Sequence, residues 1–142
     1  MNNLNQDYHR RDEIVFGQRI NWDEDFGGAE RFQNLSLEQL EKLLEEGFAN
    51  PQEKQNFSPT IEQFYEFGKN CVAKGYNLVF IGYAISPDRE DYRTSIEGIE
   101  VRVETELIES RIDANLRDEF EKFAQSADET EINFSVLYAW WD

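Results

Sequence analysis

The chain has 142 residues and carries 30 Asp and Glu against 14 Lys and Arg, a formal net charge of -16. That length is one domain by size, and the composition, 39% hydrophobic and 14% aromatic, supplies a core and argues against disorder. The charge argues against direct binding to nucleic-acid phosphates or to anionic lipid, whose fields repel it, and allows a basic protein partner.

Residues 1–12, MNNLNQDYHRRD, are polar and aperiodic, without the apolar region of a secretory signal. They read as a mobile terminus ahead of a single α+β domain over 13–142. The next segment, EIVFGQRI at 13–20, spaces Ile14, Phe16 and Ile20 evenly and reads as an N-terminal edge strand. Residues 21–33 combine two adjacent glycines with four acids and read as a loop, pinned by Trp22, Phe26 and Phe32.

A first helix is expected over 36–46. Ser36 and Gln39 form a capping box, Leu37, Leu40, Leu43 and Leu44 make one stripe, and Gly47 stops it. A second is expected over 59–74, opened by Ser58 and Pro59, with Ile61, Phe64, Tyr65, Gly68, Cys71 and Val72 on one face. Gly68 within that face implies close approach of another element. Cys71 reads as a small core residue, and as the single cysteine it excludes an internal disulfide and fits a reducing, cytoplasmic setting.

The run NLVFIGYAIS at 77–86 is the most apolar of the chain and reads as a central strand buried on both faces. Strands over 92–97 and 99–106 follow, with a switch of parity between them. Tyr92, Thr94 and Ile96 are even; Ile99, Val101 and Val103 are odd. A two-residue turn at Glu97-Gly98 would pair Ile96 with Ile99; a bulge at Gly98 is the competing reading. Residues 107–112 fit strand or helix. A third helix is expected over 113–127, capped by Asp113, with Leu116, Phe120, Phe123, Ala124 and Ala127 as its stripe. The last strand, 131–140, places Ile132, Phe134, Val136, Tyr138 and Trp140 on one face and Leu137, Ala139 and Trp141 on the other. It is expected inside the sheet beside 77–86. The fold class is therefore α+β, a mostly antiparallel sheet of about four strands with helices on one side. The other side is expected to receive Trp22 and Phe26, or a second copy of the chain. No run of about 18 apolar residues is present to span a membrane.

Catalytic chemistry finds little support. The single histidine, His9, lies in the polar terminus, and no G-x-S-x-G, Walker A or G-x-G-x-x-G motif occurs. One His and one Cys cannot build a zinc site, and no cofactor is expected. Calcium or magnesium need only oxygens, and Asp23, Asp25, Asp88 and Asp91 are the candidate ligands, although position six of an EF-hand counted from Asn21 is Phe26 instead of glycine. The charge is more informative. Residues 97–131 hold twelve acids against four bases, a net of -8 and half the charge of the chain. Glu100, Glu104, Glu106, Asp118, Glu119 and Glu121 fall where strand and helix periodicity expose them, and are the expected partner-binding residues. The arginines among them detract from phosphate imitation. The expectation is a non-enzymatic acidic interaction domain that docks on a basic protein surface, in its sharpest form an inhibitor of a nucleic-acid-handling protein acting by nucleic-acid mimicry. A homodimer is compatible. The alternative is a small enzyme or a calcium- or magnesium-binding domain using carboxylates of the 23–30 and 88–91 loops.

Overall fold

The structure, a computed structural model, describes residues 4–23, 28–103 and 111–142. In chain order these form α1 (Tyr8–Phe16), β1 (Ala29–Leu35), α2 (Leu37–Glu45), α3 (Ile61–Ala73), β2 (Asn77–Ile85), β3 (Thr94–Arg102), α4 (Ala114–Phe123), β4 (Glu129–Ile132) and β5 (Val136–Trp140). The strands make one antiparallel sheet in the order β1-β2-β3-β5-β4. The α+β class with helices on one side is thus observed, with one more strand and one more helix than expected.

Apolar periodicity decides which face the helices cover. Phe80 of β2, Ile99 and Val101 of β3 and Leu137 and Ala139 of β5 all belong to one buried cluster. Into it pack Val15 of α1, Leu40 and Leu43 of α2, Phe64 and Cys71 of α3, and Leu116 and Phe120 of α4. All four described helices therefore sit on the same side of the sheet. Gly82 fixes the spacing of the central strands: a Cβ there would stand 1.9 Å from the Ser95 carbonyl oxygen and 2.7 Å from the ring of Phe32.

The helix caps follow local chemistry. Ser36 and Gln39 satisfy each other's backbone groups at α2 as the sequence implies. For α3 a like box is built from Thr60 and Gln63, so the cap lies two residues later than the expected Ser58, and the helix begins at Ile61. Ser58 is instead buried in the preceding turn, where its Oγ accepts the Gln55 N–H at 2.8 Å. Asp113 caps α4 through the Leu116 N–H, and that bond, the largest influence, draws its pKa below the ordinary carboxylate value.

Four expectations are corrected. Residues 92–97 and the described part of 99–106, which ends at Val103, are not two strands joined by a turn. They contribute to the single strand β3, whose pairing with β2 jumps from Ile81–Gly98 to Gly82–Ile96, so that Glu97 is the extra residue of a bulge. One extra residue absorbs the parity switch and lets Ile96 and Ile99 both reach the core. Residues 131–140 are not one strand: the Asn133 carboxamide oxygen accepts the N–H groups of Ser135 and Val136 at 2.8 and 2.9 Å and turns β4 back along β5. That hairpin sits against β3, so β3 separates β5 from β2.

The third correction concerns the N-terminus. Residues 13–20 are not an edge strand; Glu13 to Phe16 close helix α1, and the edge strand is β1, within a segment that reads as loop. Tyr8 to Asp12, read from the sequence as part of a mobile terminus, open that helix. Arg11 and Asp12 are wholly buried and joined at 2.7 Å. The Arg11 guanidinium also donates to the carbonyls of Arg93 and Ile85 and lies over the rings of Trp22 and Tyr92, while the Trp22 indole donates to Asp12 at 2.7 Å. Every charge in this cluster is matched, which is what makes its burial tolerable. The fourth correction follows directly: Trp22 packs on this cluster rather than on the helix-free side of the sheet. Phe26, and the strand-or-helix ambiguity at 107–112 save its last two residues, fall outside the described residues.

Candidate functional site

Since the helices occupy one side, the chemistry of the opposite side is set by alternation along the strands. Residues paired directly across an antiparallel ladder share a face. On this side Arg31 pairs with Tyr83, Val79 with Glu100, Glu100 with Tyr138, and Tyr138 with Glu131. In the neighbouring row Ile81 pairs with Gly98, Gly98 with Trp140, and Trp140 with Glu129. Among the described residues no helix covers this face. It presents three partly exposed rings, Tyr83, Tyr138 and Trp140, within a frame of carboxylates.

The bulge adds the central group. Glu97 projects onto the same face, where its Oε1 accepts a bond from the Trp140 indole at 3.2 Å, and it is only 4% exposed. Burial raises its pKa above the ordinary carboxylate value; the Trp140 bond and the field of Arg31 oppose the rise, and Asp142 adds to it. Arg31 lies with its guanidinium 5.9 Å from the centre of the Tyr83 ring. Burial likewise raises the Tyr138 pKa, reinforced by Glu129 and Glu100 and opposed by Arg31. Glu100 is neutralised locally, because Arg102 grips it with two bonds of 2.9 and 3.0 Å. Glu129 and Glu131 at the β4 edge are exposed and form no ion pair among the described residues.

No family model, curated protein or solved structure matches this chain. The site therefore rests on geometry alone.

The residues singled out from the sequence are divided by the fold. Glu100 is on the helix-free face, whereas Asp118, Glu119 and Glu121 are exposed on α4 in the helix layer, on the other side of the sheet. The described members of the set therefore do not share one face. Glu119 is also occupied, accepting from Asn70 at 3.2 Å and facing Lys74 at 3.7 Å. Glu104 and Glu106 lie outside the described residues.

Of the cation-ligand candidates, Asp25 lies outside the described residues. Asp91 is held by Arg89 at 2.7 Å and Arg93 at 3.0 Å. Burial pushes its pKa up, but those two arginine bonds outweigh it and the net shift is downward. Asp23 and Asp88 line one cavity of about 370 Å³ together with His9 and Tyr8. Among the described residues no group of three or more His, Cys, Asp or Glu is placed to hold a metal ion. Cys71 is fully buried, and burial pushes its thiol up to about 12, which keeps it from acting as a nucleophile.

One further surface deserves comparison. Between α3 and α4 runs a groove of about 600 Å³ lined by Phe57, Phe67, Phe123, Glu66 and Lys122, with Phe57 83% exposed. Phe67 and Phe123 already stack on each other at 4.4 Å, and the charged lining residues are one acid, Glu66, and one base, Lys122. The groove selects no charge class, whereas the sheet face does. What the sequence reading missed is Glu97, Tyr83 and Arg31 as members of one surface. The signal was the parity switch at Glu97-Gly98, which marks the bulge.

Proposed function

We propose that this chain is a non-enzymatic acidic interaction domain that docks on a basic protein surface through the helix-free face of its sheet. The observation that carries the reading is the composition of that face: three partly exposed aromatic rings set among Glu97, Glu129 and Glu131, in a chain of net charge -16. Aromatic rings supply contact area at low entropic cost, and an excess of carboxylates steers an oppositely charged partner and disfavours others. In its sharpest form the domain inhibits a nucleic-acid-handling protein by occupying the basic surface that would take phosphates.

The test uses a partner isolated by the tagged chain and then purified. Hydrogen exchange of the complex should protect amides of β3, β4 and β5, and the association rate should fall as salt rises, since the Debye length at physiological salt is about 8 Å. Protection confined to α3 and α4 would move the docking surface to the groove and reject the reading.

A further inference from the structure

The sheet face also carries a feature that distinguishes one kind of basic side chain from another. Glu97 is almost wholly shielded, yet among the described residues no cation comes within 4 Å of it. Its bond comes from a neutral donor, the Trp140 indole, which satisfies a lone pair but is no counter-charge, and only the more distant field of Arg31 offsets its charge. This contrasts with Asp12, equally shielded but in contact with the Arg11 guanidinium at 2.7 Å. Beside Glu97 stands the ring of Trp140, and Tyr138 follows on the same face two residues away along the strand, each half-buried. Arg31 over Tyr83, at 5.9 Å, shows that a ring on this face accepts a guanidinium.

We propose that the basic partner presents an arginine side chain to this face, its guanidinium resting on the Trp140 and Tyr138 rings above Glu97. The proposal rests on the docking role given above and names the side chain it takes. Arginine fits better than lysine for two reasons. Its planar, delocalised cation stacks on aromatic rings, and it is more weakly hydrated than an ammonium, so it loses less on leaving water. The guanidinium need not enter the bulge. Over the Trp140 ring it lies next to the group that already bonds the carboxylate, where burial has lowered the screening between charges.

The experiment titrates the full chain, at low salt, with hexa-arginine and separately with hexa-lysine. Binding is measured by calorimetry, and the indole N–H resonance of Trp140, assigned with Trp140→Phe, reports the place. The expected result is affinity for hexa-arginine about tenfold above hexa-lysine, with movement of the Trp140 resonance. Glu97→Gln keeps an acceptor for the indole and should abolish the preference. Equal affinity of the two peptides, or a preference that survives Glu97→Gln with no movement at Trp140, overturns the arginine site and leaves the acidic docking role standing. Binding of neither peptide overturns both. The comparison of peptides on the unmodified chain stands even if the variant fails to fold.

Discussion

Trp140 and Trp141 are neighbours in sequence with opposite fates, and truncating each to alanine separates core from docking face. Trp141 is 1% exposed. It meets Phe64 edge-on at 5.3 Å and Phe123 at 6.1 Å, and its indole donates to Ser126 Oγ at 3.0 Å. Trp141→Ala removes the transfer energy of the ring and leaves a cavity between α3, α4 and β5. Truncations of this kind cost about 3–5 kcal/mol, and the two lost edge-on contacts place this one toward the upper end. A domain of this size is stable by about 5–15 kcal/mol, so the variant should be marginal or unfolded at 37 °C. Trp140 lies on the helix-free face, where water fills the space it vacates and Glu97 regains solvation. The cost of Trp140→Ala should be about 1–2 kcal/mol. Urea unfolding followed by circular dichroism, with unchanged m-values, is the assay. Equal losses for the two variants, or a larger loss for Trp140→Ala, would refute the assignment of faces.

Asp12→Ala leaves the Arg11 guanidinium buried without its carboxylate and should cost about 3–5 kcal/mol by the same assay, despite its place near the N-terminus. Cys71 should resist iodoacetamide in the native protein and react fully once the chain is unfolded in urea, because burial both hides the thiol and holds it protonated. Glu97→Gln should stabilise the fold increasingly with pH. The folded-state pKa of Glu97 lies above its ordinary value of 4.5, so the unfolded chain ionises first as pH rises, and stability falls until the folded pKa is passed. The variant lacks this loss, so its melting temperature should gain on the parent as pH rises past the ordinary value of 4.5; a gap that narrows as pH rises from there contradicts the burial argument.

What the sequence discloses here is mostly local. Helix α2 is legible to its caps, because a capping box, a leucine stripe and a following glycine all lie within a dozen residues and need no distant partner. Helix α1 is hidden because two of its buried residues, Arg11 and Asp12, are charged and resemble a solvated surface until Trp22, Tyr92 and the Ile85 carbonyl are brought to them. The β4–β5 hairpin is hidden because its turn is made by one side chain, Asn133, inside an otherwise apolar run. The parity switch at Glu97-Gly98 admits a turn or a bulge, and only the pairing of both its neighbours, β2 and β5, decides for the bulge. The candidate surface is the least legible part. Alternation separates Glu100 from Val101, but it does not say that the pairing brings Arg31, Tyr83 and Trp140 onto one face with Glu100, nor that α4 carries its acids to the opposite layer.

That division makes one measurement decisive. Glu129→Lys with Glu131→Lys, and Asp118→Lys with Glu121→Lys, alter the net charge of the chain equally, one pair at the β4 edge of the sheet face and the other on α4. Long-range attraction to a basic partner falls by the same amount in both, so any difference in binding reports the contact itself. Association and dissociation rates with the purified partner should show a marked loss for the β4 pair and only the shared field effect for the α4 pair. If the α4 pair loses binding while the β4 pair retains it, the helix-free face is not where this protein docks.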